Sequence, residues 1–250
     1  MRVPRVFHSR AQVDRELELG REAFGHVVRV LRKSVGDALL VLDGVGGVYR
    51  AEILRIESSS ESLWIKVLEP AEETGAPVTL PLGIAVGIPR GDGMELAIRL
   101  ASETGLSALQ PLMTERTVPR PRGTNKIERW RRIATESAEQ CRRLRPLEIR
   151  DPLEWKDFRD AAAEGGRRVW VALPGAPSAA EAGLLELLRT PEGDDGLVLI
   201  GPEGGFSPVE IDESLERGFR PLGFPTPVMR TPTAVVYVAA LASLAHHDSG

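Results

Sequence analysis

The sequence predicts a two-domain chain, a small β-barrel followed by an α/β domain built on a parallel sheet. Three observations predict it. Short apolar runs separated by Gly, Asp and Ser turns occupy the chain before a break near Glu69 to Pro77. After that break, longer buried-strand runs alternate with helical patterns, the grammar of a parallel sheet. A chain of 250 residues, 42% hydrophobic and 27% charged, is also long enough to bury one large and one small core.

Taken in order, Glu22 to Leu31 predicts a short helix packed on the barrel. Ala38 to Asp43, Gly47 to Leu54 and Leu63 to Leu68 predict its strands, with Asp43-Gly44 and Gly46-Gly47 as hairpin signals. The domain boundaries are placed at 1–72 and 73–250. In the second domain, strands are expected at Leu82 to Ile88, Ala108 to Leu112, Arg168 to Leu173 and Leu197 to Ile200. Helices are expected at Gly93 to Thr104, Asn125 to Cys141, Trp155 to Ala163, Ala179 to Leu188 and Pro208 to Arg217. The helix at Asn125 is amphipathic: Ile127, Trp130, Ile133, Ala134, Ala138 and Cys141 share one face, and Arg129, Arg132 and Arg143 lie opposite.

The most informative stretch is Leu197 to Ile211, where an apolar strand empties into Gly201-Pro202-Glu203-Gly204-Gly205 and then a strongly signalled helix start. Ser207 reads as N-cap, Pro208 as the first helical residue and Glu210 as the capping-box partner, with Phe206 and Ile211 as a hydrophobic staple. Three glycines in five residues allow left-handed dihedrals and a close backbone approach to a ligand. The loop lacks the Gly-Lys-Ser/Thr ending of a P-loop and the spacing of a dinucleotide fingerprint, so it is not a nucleotide-phosphate site of either type. Further on, Thr231-Pro232 reads as a second N-cap and first helical position, opening an apolar helix that must be buried in the core or against another subunit.

Composition excludes several classes. The apolar run from Ala234 to Ala245 is too short for a membrane span, and the N-terminus carries no charged-then-apolar leader, so a cytoplasmic protein is expected. A single cysteine, Cys141, permits no internal disulfide or cysteine metal cluster, and the four histidines show no ligand spacing; no metal is expected. The net charge of −4 conceals an asymmetry. Glu115 to Arg145 holds ten basic and four acidic residues, +6, leaving −10 on the rest of the chain. Arg116, Arg120, Arg122, Lys126, Arg129, Arg132 and Arg143 within it form a candidate RNA-binding face.

Four motifs carry a family resemblance over nearly the whole length: Gly25-His26-Val27-Val28-Arg29-Val30-Leu31-Arg32, Thr114-Glu115-Arg116-Thr117-Val118, Arg129-Trp130 through Glu136-Ser137-Ala138-Glu139-Gln140, and Ile200 through Ser207. Together they resemble the RsmE-type ribosomal RNA small-subunit uridine-N3 methyltransferases of the SPOUT superfamily. The resemblance implies a PUA-like β-barrel followed by an α/β SPOUT domain with a C-terminal trefoil knot. It also implies S-adenosylmethionine as cofactor, a homodimer, and small-subunit rRNA or the assembled small subunit as partner. Carried residue by residue, cofactor contacts fall on Leu173, Pro174 and Gly175, on Ile200, Gly201, Pro202, Glu203, Gly204 and Gly205, and on Leu222, Gly223, Met229, Arg230 and Thr231. His26, Arg29 and Arg32 join the RNA-binding set.

Two positions depart from the family pattern: Leu100 stands where relatives usually carry Lys, and Pro232 where they carry an acid. The expected reaction is methyl transfer to N3 of a uridine. Arg116 and Arg230 are candidates for holding phosphate or stabilising uracil anion character, and Glu203 for base or hydrogen-bond acceptor, or simply a brace for the loop. Two alternatives stay open: a non-catalytic RNA-binding or ribosome-assembly protein, and a SPOUT methyltransferase acting on another RNA.

Overall fold

The computed structural model describes residues 3–72, 79–118, 125–176 and 196–247, and it divides into two compact units, 1–77 with 138–146, and 78–137 with 147–250. The helix expected at Ala179 to Leu188 lies outside the described residues.

The first unit is a five-stranded sheet in the order β1-β3-β4-β5-β2: β1 (Arg5–Phe7), β2 (Glu16–Leu19), β3 (Ala38–Leu42), β4 (Val48–Glu57) and β5 (Ser62–Pro70). The edge strands β1 and β2 are not among the expected elements; β1 has only three residues, and β2 alternates over just four, Glu16 to Leu19, with Leu17 and Leu19 buried. The period-2 pattern of β5 is direct: Leu63, Ile65 and Val67 are fully buried while Trp64 and Lys66 between them are not. They pack with Val6, Leu17, Leu39, Val41, Ile53, Phe24 and Val27. The Asp43 to Gly47 hairpin is closed by the Asp43 carboxylate, which accepts the N–H groups of Val45 and Gly47 at 2.8 Å each.

The predicted short helix is present, with an unexpected geometry. Helix α1 (Arg21–Phe24) continues as a π-helical turn over Gly25–Val30, in which the Leu31 N–H reaches the His26 carbonyl at 3.0 Å. Apolar spacing cannot distinguish such a turn from an α-helix.

The second unit is a seven-stranded sheet. Its strands are β6 (Leu82–Gly87), β7 (Ala108–Met113), β8 (Glu148–Ile149), β9 (Leu153–Glu154), β10 (Val169–Ala172), β11 (Gly196–Ile200) and β12 (Arg220–Leu222). They run in the order β12-β10-β11-β6-β7-β8, with β9 also on β7, and every pairing is parallel, as the strand and helix alternation predicts. Helices α2 (Gly93–Glu103), α3 (Asn125–Cys141) and α6 (Thr231–His247) share one core with Ile84, Val86, Trp170 and Val198 of the sheet. Helices α4 (Trp155–Glu164) and α5 (Pro208–Glu216) share another with Ala85, Leu112, Val171 and Leu199. The two sets of strand residues alternate along the chain, so both faces of the sheet are covered, as a parallel sheet requires.

The amphipathic reading of α3 holds for Trp130, Ile133, Ala134 and Ala138, which are buried, and for Arg129 and Arg132, which are exposed. Arg143 is a correction. It is only 2% exposed, its Nε donates to the Arg145 carbonyl, and burial lowers its pKa from the usual guanidinium value. The helix has already ended: Arg142 takes a positive φ of 66° and the Arg143 N–H turns back to the Ala138 carbonyl, so helical spacing no longer sets its direction.

Candidate active site

Parallel strands end together, so the loops after neighbouring strands gather at one edge of the sheet. The segments following β10, β11 and β12 form a cavity of about 430 Å³ there, and Arg116, just after β7, joins its wall. Of the expected cofactor residues, Leu173, Pro174, Gly175, Ile200, Gly201, Pro202, Glu203, Gly204, Gly205, Met229 and Thr231 line this cavity. Leu222 and Gly223 stand behind the lining, buried at the end of β12, and Arg230 is exposed and off the lining. Phe206, Phe224, Thr226 and Val228 also line it, and sequence reasoning missed them as site residues. Phe224, Thr226 and Val228 fall in a proline-rich loop without periodicity to reveal them, and Phe206 reads from sequence only as a helix staple.

The glycine loop is a tight turn, closed by the Gly205 N–H on the Pro202 carbonyl at 2.8 Å. Only Gly205 of its three glycines takes the left-handed conformation, φ 67°. Gly201 serves a different need: a Cβ there would sit 3.0 Å from the Gly205 Cα. The capping box forms as its spacing predicts, with Ser207 Oγ accepting from the Glu210 N–H at 3.3 Å and the Glu210 carboxylate accepting from the Ser207 N–H at 2.8 Å.

The second expected cap differs. Thr231 is the first residue of α6, and the Ala234 N–H bonds the Arg230 carbonyl, which makes Arg230 the N-cap position. The Thr231 hydroxyl instead donates to the Gly201 carbonyl at 2.9 Å, tying the two loops of the cavity together.

Arg116 and Glu203 are both engaged with the backbone. Arg116 Nη1 donates to the Gly204 carbonyl. The Glu203 carboxylate accepts the Arg90 N–H, at 3.1 Å to Oε1 and 3.3 Å to Oε2, and thereby holds the segment ahead of α2. Among the expected RNA-binding residues, Lys126 lies over the Trp130 ring at 5.5 Å, and Arg129 grips both oxygens of Glu95 on α2 at 2.8 and 2.9 Å. Arg132 is exposed. His26 and Arg29 on the π-helical turn and Arg32 just past it are exposed, and Arg29 shares Glu61 with Arg21. Arg120 and Arg122 lie outside the described residues.

Residues 76–243 match the RNA methyltransferase domain family, and residues 19–68 match the RNA methyltransferase PUA domain. The chain belongs to the RNA methyltransferase family. Its curated relatives include the ribosomal RNA small subunit methyltransferase E of a Synechocystis strain, 34% identical over 84% of this chain. That match spans 66% of the Synechocystis protein's own length. The Bacillus subtilis protein of the same name is 26% identical, covering 89% of this chain and 87% of its own. A Legionella pneumophila protein solved with the cofactor SAM bound shares the fold at a TM-score of 0.83, with 27% identity and 98% of each chain covered.

Proposed function

We propose that this protein uses S-adenosylmethionine to methylate N3 of a uridine in small-subunit ribosomal RNA. The observation that carries the reading is the cavity itself, where three loops from adjacent parallel strands and Arg116 enclose about 430 Å³. That volume suits a small organic cofactor. Its lining suits this one: Phe206, Phe224, Val228 and Met229 offer apolar contact, and backbone of the glycine turn approaches without intervening side chains. The Glu203 carboxylate on the wall adds negative charge towards a cationic sulfonium.

S-adenosylmethionine, when bound, supplies an electrophilic methyl group. The protein's tasks are alignment, exclusion of water and assistance as N3 gives up its proton to gain that methyl. We assign Arg116 to the phosphate or the developing uracil anion, with Arg230 as a second cation, and Glu203 to bracing the loop, since the Arg90 amide already occupies its carboxylate. N3 lies on the Watson-Crick edge, so the target base must be unpaired or drawn from its stack. Residues 1–72 are assigned to RNA contact and 73–250 to transfer, with the basic segment of the second domain sharing in RNA contact, in the cytoplasm. Small subunits from a strain lacking the activity, incubated with the protein and cofactor, are expected to gain one N3-methyluridine by mass-spectrometric mapping. No gain, with RNA still bound, would favour the non-catalytic RNA-binding alternative.

RNA contact is assigned to the cations of α3, exposed at Arg132 and half-buried at Lys126, and to those of the π-helical turn. Lys126 and Arg132 are the pair that tests α3, because neither substitution removes the Arg129 to Glu95 bridge between α3 and α2. Lys126→Ala with Arg132→Ala is expected to shallow the log-log salt dependence of RNA affinity by about two units and to leave cofactor affinity unchanged. A filter-binding series with the wild-type slope would remove α3 from the interface.

Homodimerisation is assigned to the outward side of α6. Val235, Val238, Ala239 and Ala242 are buried, whereas Leu244 is 67% exposed and follows Ala240 along an uncovered apolar stripe. Leu244→Asp is expected to yield a folded monomer in sedimentation, because the site is already in solvent within one chain. A dimer of undiminished affinity would place the interface elsewhere.

A further inference from the structure

Glu210 is only 3% exposed, and both of its carboxylate oxygens accept backbone N–H groups. The capping box accounts for one of them, Oε2 on Ser207. The other, Oε1, accepts the Glu115 N–H at 2.8 Å, from a segment 95 residues earlier in the chain. Glu115 sits in a turn closed from several sides. The Thr117 N–H meets the Thr114 carbonyl at 3.1 Å, the Thr114 N–H meets Thr117 Oγ1 at 3.0 Å, and the two hydroxyls lie 2.9 Å apart.

Arg116 is the next residue of that turn, and its guanidinium reaches the Gly204 carbonyl. A Cβ at Gly204 would lie 3.2 Å from the Arg116 Cδ, so the arginine stem runs directly along the glycine turn. One buried carboxylate thus joins the helix that follows the glycine turn to the turn that carries Arg116. The demand is chemically specific. Two N–H donors require a group with two acceptor oxygens and no donor, which a carboxylate is and a primary amide is not. The N-terminal end of α5 also favours a negative charge.

We propose that Glu210 is a positioning residue that fixes Arg116 against the glycine turn, and that its effect on methyl transfer passes through Arg116 rather than through the stability of α5. The proposal rests on the assignment of Arg116 to the reacting uridine. Small misplacements of a reacting or stabilising group carry large kinetic losses.

The test measures kcat on small ribosomal subunits and cofactor affinity by calorimetry for Glu210→Gln, Arg116→Ala, their double variant, and Ser214→Ala. Ser214 Oγ donates to the Glu210 carbonyl at 2.7 Å, so Ser214→Ala alters the interior of the same helix without touching the bridge to Glu115. Glu210→Gln is expected to lower kcat about tenfold with cofactor affinity within about twofold. The double variant is expected to be no slower than Arg116→Ala alone, and Ser214→Ala to keep wild-type kcat. Should Glu210→Gln not fold, Glu115→Pro breaks the same hydrogen bond from the donor side at a turn position that tolerates proline, and should show the same loss. Additive losses in the double variant, an equal loss in Ser214→Ala, or wild-type kcat in Glu115→Pro would each overturn the proposal. A wild-type protein that transfers no methyl group overturns the transferase reading itself, and this proposal with it.

Discussion

Gly223→Ala is expected to weaken S-adenosylmethionine binding severely while the chain stays folded. A Cβ at Gly223 would lie 1.8 Å from the Ala176 carbonyl oxygen and 2.5 Å from its carbon. Both are backbone atoms, so no side chain can swing aside. The two segments are also fastened, by parallel pairing of β10 with β12 and by the Leu173 N–H on the Leu222 carbonyl at 3.0 Å. The methyl group must therefore push apart the loops after β10 and β12, and those loops supply Leu173 to Gly175, Phe224 and Thr226 to Met229 of the cavity wall. A loss of about 100-fold in affinity, about 2.8 kcal/mol, is expected from calorimetry, with circular dichroism near wild type. Wild-type affinity would show that the cofactor does not lie between these loops.

The parts of the fold that were legible in the sequence are those set by local chemistry. The α3 range, Asn125 to Cys141, follows from apolar spacing alone, and the parallel sheet from strands alternating with helices. The start of α5 was readable to the residue, because Ser207, Pro208 and Glu210 each satisfy a separate requirement of a helix N-terminus. What stayed hidden depends on partners distant in sequence. Thr231 has the residue type and following proline of an N-cap, yet its hydroxyl goes to Gly201, which no local pattern encodes. Arg143 lies just past the end of α3, where one left-handed residue redirects the chain and buries a guanidinium that helical spacing would expose. In the site, the glycine turn announced itself through composition. The second oxygen of Glu210 did not, since its partner is an amide, and an amide leaves no mark in a sequence.

Arg116→Ala is expected to leave cofactor binding nearly intact and to remove most of the catalytic rate. The guanidinium is exposed at the cavity wall, where its only hydrogen bond among the described residues is to the Gly204 carbonyl. That carbonyl belongs to a turn already closed by the Gly205 N–H on Pro202, so the turn keeps its shape without the arginine. The backbone and apolar walls assigned to the cofactor are likewise untouched. On the assignment of Arg116 to the reacting uridine, what is lost is a fixed positive charge where negative charge develops as N3 loses its proton. Removing one such preorganised donor typically costs about 10²- to 10³-fold in kcat. Lysine is expected to recover only part of the loss, because it keeps the charge but not the planar fork that bonds the Gly204 carbonyl while offering further N–H groups outward. The measurement is single-turnover methylation of small subunits at saturating cofactor, alongside calorimetric affinity. If kcat is unchanged while RNA affinity falls, Arg116 serves only as a phosphate contact. If cofactor affinity collapses together with the rate, the arginine supports the turn itself, and the charge stabilising the uracil must come from Arg230.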